Sequence, residues 1–397
     1  MGRWYILDPG LANDKGHHLS QAQSIARELR HRGTTVAIYG FRDAKRDLLG
    51  DLEVNPWFRG YTYAAMSADP LTGEYEDYIH FNRLLAEDLQ KLPLPDFTEG
   101  DTVLFPTVSH NQFHAIIQWA SDLDAKRQPR IVSVLMFPPD WATVARAVSE
   151  PARYYRAAWE SLPPQIGSQL HVCAETLAVA KAFATLFGKR PTVLPRLVDD
   201  AASAPRETAD RIIGRRTNAP ILSYLGHARA ERGFQLLPEL VDLTVRSGAA
   251  HRYFVQSYHD NQPLMRDVEA RLSQSAHVTV HPGALDRADY WAVLKNSDFV
   301  LLPYRADRYQ ARGSGIYFEA AWAGVPVIVP AKTWMSREIE ETGAGVIFDA
   351  FDPRSIAKAV LAALSRQPEL HKPVQRSASR LRQMHGVRQF VDRIEQL

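Results

Sequence analysis

Cysteine is all but missing: Cys173 is the only one in 397 residues. No internal disulfide framework can form, and a reducing compartment is the natural setting. Cys173 lies in the apolar run QLHVCAE, where a free thiol packs as a small hydrophobe rather than serving as a nucleophile. No stretch nears the ~18 apolar residues of a membrane-spanning helix. The opening MGRWYILDPG reads as a strand and a turn, without the apolar core of a secretory leader. The expected location is the cytoplasm, with peripheral contact on the inner face of a membrane left open. Charge of one sign is not in excess either. Forty-seven Lys and Arg against 45 Asp and Glu leave a net charge of +2, which gives no argument for a nucleic-acid partner. Internal repeats and low-complexity segments are absent.

Several catalytic signatures are missing as well. Gly313-Ser314-Gly315 is followed by Phe318 where a dinucleotide fingerprint needs its third glycine. There is no GxxxxGK[ST] phosphate loop, and Ser314 lacks the GxSxG frame of a nucleophile elbow. His110 and His114 have a metal-ligand spacing, but no HExxH glutamate or cysteine accompanies them. Asp122 and Asp124 form an Asp-x-Asp that reads as the end of an amphipathic helix beside Lys126 and Arg127. No metal or other cofactor is expected.

What is present is a regular alternation of short apolar runs with amphipathic stretches. RWYILDP reads as a buried strand, HLSQAQSIARELRHRG as a helix and TTVAIYG as the next strand. Right-handed crossover makes those two strands parallel. DTVLFPT, RIVSVLMFP and SQLHVCAE continue the first half, with NPWFRGYTYAAM as an aromatic insertion before a helix over DYIHFNRLLAEDLQKL. The aromatics Trp57, Phe58, Tyr61 and Tyr63 read as an acceptor-binding patch, a membrane-facing patch or plain core. After the Pro-, Ala- and charge-rich stretch LPRLVDDAASAPRETADRIIGRRTNAP, six more strands follow: APILSYLG, HRYFVQSY, HVTVHPG, SDFVLLPY, VPVIVPA and GVIFD. The length exceeds what one core usually supports, so we expect an α/β protein of two doubly wound Rossmann-like domains. The first spans 1–200, a linker 201–218, the second 219–375 and a helical tail 376–397.

Open parallel sheets bind ligands beyond the carboxyl ends of their strands, and three loops there carry suitable chemistry. LGHARAERGFQLL presents His227, Arg229 and Arg232 after Gly226; forked guanidiniums suit a diphosphate, although a solvated basic loop has the same composition. Arg312, Gly313, Ser314, Gly315 and Ile316 open a helix whose bare backbone N–H groups face an anion. Glu319 follows one turn later, suited to ribose hydroxyls or simply to the helix macrodipole. GLANDKGHH supplies Gly16 from the first half. His110, directly after DTVLFPTVS, reads as a cleft histidine or as a buried hydrogen-bonded one.

On these residues the second half resembles the nucleotide-binding half of GT-B glycosyltransferases, in particular the retaining family four type. GHARAERG resembles that family's GRLxxxKG, placing Arg232 at the lysine position and His227 at the arginine position, with Arg229 a substitute. HPGALDRADYWAVLKNSDFVLLPY matches a second block through Gly283, Tyr290, Ser297, Asp298 and Pro303, which puts Gly283 to Leu285 near the donor base. SGIYFEAAWAGVPVIV resembles FGxxxxEAMAxGxPVI, with its glutamate at Glu319. The first glutamate of the family's Glu-x7-Glu is replaced by Ala311.

The resemblance implies two domains facing a cleft, with C-terminal helices crossing back to the first. It implies transfer of a sugar from a nucleoside diphosphate sugar to a hydroxyl acceptor, glycan or lipid-linked, with retention and no obligatory metal. His110 and Arg232 would act at the reaction centre. A non-catalytic sugar-nucleotide-binding relative and a nucleotide-sugar epimerase of the same fold are the alternatives.

Overall fold

The structure is a computed structural model that describes residues 2–13, 17–94, 96–123, 129–142, 146–166, 169–198, 206–214, 218–259 and 262–397. Gly16, Asp124, Lys126 and Arg127 lie outside the described residues, as does much of the expected linker. The chain divides into two units: Met1–Asp199 with Ala311–Gly313 and His385–Leu397, and Asp200–Gln310 with Ser314–Met384.

The first unit is built on seven strands, β1 (Trp4–Asp8), β2 (Val36–Phe41), β3 (Asn55–Phe58), β4 (Thr102–Val108), β5 (Arg130–Leu135), β6 (Leu170–Ala174) and β7 (Thr192–Val193). They lie in the order β3-β2-β1-β4-β5-β6-β7, every pairing parallel. β1 and β4 are buried along their whole length, because helices on both faces exclude water from a central parallel strand. That is why they read as unbroken apolar runs rather than as alternation. One apolar cluster gathers Phe105, Phe113, Tyr155 and Phe183. The other gathers Ile6, Ile25, Val132 and Cys173 with Phe390 and Ile394 of the C-terminal helix Val387–Glu395. Burial pushes the Cys173 thiol up to about 12.

The second unit repeats the plan with six strands, β8 (Ile221–Tyr224), β9 (Arg252–Ser257), β10 (Val278–Pro282), β11 (Phe299–Leu301), β12 (Val327–Pro330) and β13 (Gly345–Phe348). Their order is β10-β9-β8-β11-β12-β13, again all parallel. Helix starts are chemically marked here: Asp352 accepts from the Ser355 amide, with Pro353 in the first turn of the helix Pro353–Ser365. Among the described residues, no helix is long and apolar enough to cross a membrane.

In both sheets the strand order reverses beside the first strand of the unit, between β1 and β4 and between β8 and β11. Two details depart from expectation. Asn55–Phe58 of the aromatic insertion is an edge strand, with Phe58 in the core. The weakly periodic stretch between the sheets contains a helix, Arg206–Ile213. In each case pairing or packing overrides a weak local pattern.

Candidate functional site

In the second unit, Gly226 lies two residues past β8 with φ +87, and a Cβ there would lie 2.5 Å from Ile316 Cδ1 and 3.0 Å from Arg232 Nη1. The glycine therefore brings the strand end, the guanidinium and the start of the helix Gly315–Ala323 into one place. Arg232 donates from Nε to the Tyr309 hydroxyl at 3.2 Å and stands 5.7 Å above the Tyr304 ring. No carboxylate among the described residues forms an ion pair with it. Burial works against the Arg232 charge, but the phenolic oxygens of Tyr304, Tyr309 and Tyr224 more than offset it, and its pKa is raised.

Glu319 accepts a short hydrogen bond from the Tyr290 hydroxyl. Burial, then the Glu319 charge, hold that phenol well above its ordinary value, while Arg232 pulls it the other way. Tyr290 thus lies close enough to feel both the acid and the guanidinium.

Gly283 lies just past β10, two strands from β8. Its amide donates to Ser257 O at 3.1 Å. The side chain of Gln256 spans both glycines, accepting from the Gly226 amide at 2.7 Å and donating to Gly283 O at 3.3 Å. Leu285 follows, half-buried, one residue before Asp286 caps the helix Arg287–Lys295.

The remaining predicted residues separate. His227 pairs with Tyr258 in a parallel bridge and accepts from Arg229 Nε at 3.1 Å. Arg229 is 45% exposed, so Arg232 is the enclosed cation of the two. The Ser314 hydroxyl accepts from the Tyr317 amide as the helix cap, which leaves backbone rather than side chain for a ligand. Gly315 is exposed with open space around its missing Cβ.

Arg312 and Gly313, expected in the nucleotide half, fall instead in the first unit. The reason is steric: a Cβ on Gly313 would be 2.7 Å from Glu175 Oε2, so only glycine lets that carboxylate approach. Glu175 itself is paired with Arg196 at 2.6 Å; burial raises its pKa and the guanidinium opposes the rise.

His110 opens the helix His110–Asp122 as expected, but its ring is enclosed. The residue is 2% exposed and lies against Tyr154 and Tyr155, each at 6.0 Å between ring centres. Its carbonyl accepts from Asn82 Nδ2 at 3.0 Å, while Nδ1 has no partner. The enclosed reading is favoured over one open to a cleft. His114 is engaged by the Tyr78 hydroxyl at 2.7 Å.

Sequence reasoning missed Gln256, Tyr304, Tyr309 and Glu175. Each is an ordinary residue type at a strand end, in a loop or, for Tyr309, at the end of the short helix Ala306–Tyr309, with no spacing signal to mark it.

The fold is shared with solved structures over nearly the whole chain. Sucrose-phosphate synthase from Thermosynechococcus elongatus superposes with a TM-score of 0.70 at 13% identity, covering 99% of this chain and 98% of that one. A glycosyltransferase from Rickettsia africae gives 0.68 at 12% identity, covering 99% and 97%. Anabaena HepE, in complex with UDP and glucose, gives 0.64 at 13% identity, covering 100% and 98%. Such identities establish fold. No curated protein sequence matches the chain. Residues 205–380 match the family described as Glycosyl transferases group 1. Residues 205–380 therefore form a glycosyltransferase domain, and the chain as a whole has the GT-B fold. The matched domain of this transferase contains the Gly226, Arg232, Gly283 and Glu319 crevice in full.

One pH effect follows from His110. Burial, opposed by Asp77 and assisted by Arg146, lowers its pKa to about 4. Between that value and the ordinary ~6.5, the unfolded chain takes up a proton that the folded one refuses. Stability contributed by the neutral ring is therefore full above ~6.5 and is lost as pH falls toward 4, by about 3 kcal/mol. Thermal melting of the transferase from pH 7.5 to 4.5 should show a shallower fall in His110→Phe; identical slopes reject this account.

Proposed function

We propose that this transferase moves a sugar from a nucleoside diphosphate sugar to a hydroxyl acceptor, with retention at the anomeric carbon and no obligatory metal. It is, on this reading, of the retaining family four type. The observation that carries the proposal is Arg232: a half-buried guanidinium held by tyrosines, without a carboxylate partner among the described residues. A half-buried guanidinium without a carboxylate partner keeps its charge available, and a diphosphate supplies the opposite charge with forked geometry.

Loss of the nucleoside diphosphate from the donor builds negative charge on the leaving oxygens. Arg232 and the first amides of the helix Gly315–Ala323 provide fixed positive potential there, which stabilises the transition state without reorganisation. That charge does the work a divalent metal would otherwise do. Glu319, oriented by Tyr290, takes the ribose hydroxyls and holds the leaving group in line. Gly283 and Leu285 border the base. UDP is the first nucleotide to test, since Anabaena HepE was crystallised with UDP and with UDP-glucose. The acceptor is a glycan or lipid-linked hydroxyl, and the resting place of the protein is the cytoplasm or the inner membrane face.

Calorimetric titration with UDP and GDP tests the core of this reading; absence of binding to both defeats it. Arg232→Ala should weaken the bound nucleotide by about 1.5–3 kcal/mol, the range for hydrogen bonds to charged groups, and an unchanged dissociation constant removes Arg232 from the site. Glu319→Gln should weaken UDP more than pyrophosphate; equal losses reject its ribose role. Proton NMR of the first-formed product, in buffer containing EDTA, should show the donor's anomeric configuration. Inverted product overturns retention, and loss of turnover overturns metal independence.

A further inference from the structure

Exposed apolar side chains are concentrated on one face of the first unit. Among the described residues nine large hydrophobic side chains are exposed, and five of them belong to this face: Met66, Leu71, Tyr75, Ile79 and Val148, each between 46% and 65% exposed. Tyr75 and Ile79 stand one turn apart on the helix Gly73–Gln90, and Leu71 lies just before its start. The Val148 amide donates to Pro70 O at 3.1 Å, which sets that backbone beside Leu71.

A buried ion pair holds the face in shape. The Asp77 carboxylate accepts from the Met66 and Ser67 amides at 2.8 and 3.1 Å and pairs with Arg146 at 2.5 Å. Arg146 also donates to Ser67 O at 2.8 Å. Such a pair costs desolvation, and here it ties the segment 66–72 to the helix. The apolar groups are thus held outward on a fixed backbone. Single exposed hydrophobics need no account, but a cluster of them marks an interface.

The charges around this face are divided along the helix. Asp69 and Glu76 are exposed near its start; Arg83 and Lys91 are exposed toward its end. Glu87 there is shared by Arg59 and Arg83 at 2.7 and 3.1 Å, and Asp88 pairs with Arg59 at 2.6 Å. On the neighbouring helix Pro151–Glu160, Arg153 is answered by Glu150 at 3.4 Å. Tyr75, Ile79 and Arg83 form one stripe at four-residue spacing. A parallel copy would set Arg83 on Arg83. Turned about a two-fold axis at Ile79, each guanidinium meets the Tyr75 ring and the acidic start of the other helix, and Ile79 meets itself. An anionic membrane fits less well, because Asp69 and Glu76 flank the apolar groups and repel its headgroups.

We propose that a second copy of the chain docks on this face, as an isologous dimer with its two Gly73–Gln90 helices antiparallel. The proposal goes beyond the transferase reading and does not depend on it.

Analytical ultracentrifugation of the full chain, from nanomolar to high micromolar concentration, tests it. The 44.7 kDa chain should sediment as a dimer at the upper end. Ile79→Asp sets two carboxylates against each other on the axis and should weaken association at least tenfold; Arg83→Glu should weaken it severalfold. Cross-linking reads the geometry without weakening the interface. A short bismaleimide should join Ile79→Cys into a covalent dimer, since the native Cys173 is buried. It should leave Gln90→Cys monomeric, because a rise of ~1.5 Å per residue places the two Gln90 positions about 33 Å apart across the axis. A monomer at every concentration, a dimer unchanged by Ile79→Asp, or equal cross-linking at both positions overturns the proposal. So does a monomer that sediments with phosphatidylglycerol vesicles and loses that binding in Ile79→Asp, which gives the face to a membrane instead.

Discussion

A half-buried guanidinium must be answered by something, and among the described residues of this protein the answer is not a carboxylate. Arg232 is held by one hydrogen bond and one ring face, interactions that orient a positive charge without neutralising it. The rest of the second unit's crevice is arranged around that fact. Gly226 has no side chain, so the guanidinium and Ile316 close in on the end of β8. Tyr290 feels both Arg232 and Glu319, so the cation and the acid belong to one electrostatic neighbourhood. Gln256 binds the backbone at Gly226 and Gly283 and fixes the separation of two strand ends that would otherwise depend on loops.

The same topology produces a different chemistry in the first unit. Both sheets reverse their order beside their first strand, and in both the residues after that strand carry the polar groups. In the second unit they are cationic and face open backbone amides. In the first they are an Asp8–His18–Tyr63 chain beside the Phe137 and Trp141 rings. Fold alone chooses neither; the loop residues do.

Much of the architecture was legible. Continuous apolar runs such as WYILD and TVLFPTV announce parallel strands buried on both faces, and the helices between them follow from a 3.6-residue period. The candidate site was legible wherever chemistry concentrates in one short stretch: Arg232 in GHARAERG, Glu319 after the glycine pair. It was illegible where contacts cross long sequence distances. Tyr309 reaches Arg232 across 77 residues, and Tyr63 reaches His18 across 45. The edge strand Asn55–Phe58 escaped because a four-residue run containing proline carries too little pattern to outweigh its aromatic, loop-like neighbours.

The sequence by itself determined the class of the protein, because hydrophobic periodicity fixes which segments are strands and helices, and their alternation leaves little choice but parallel sheets. It also named the candidate cations and the acid of the second unit's crevice, since those residue types concentrate in two short stretches. The tertiary structure decided which arginine is enclosed, that the His110 ring is buried, and that Gly313 serves a carboxylate of the first unit. Those are questions of desolvation and close approach, and both depend on neighbours that the linear order does not name.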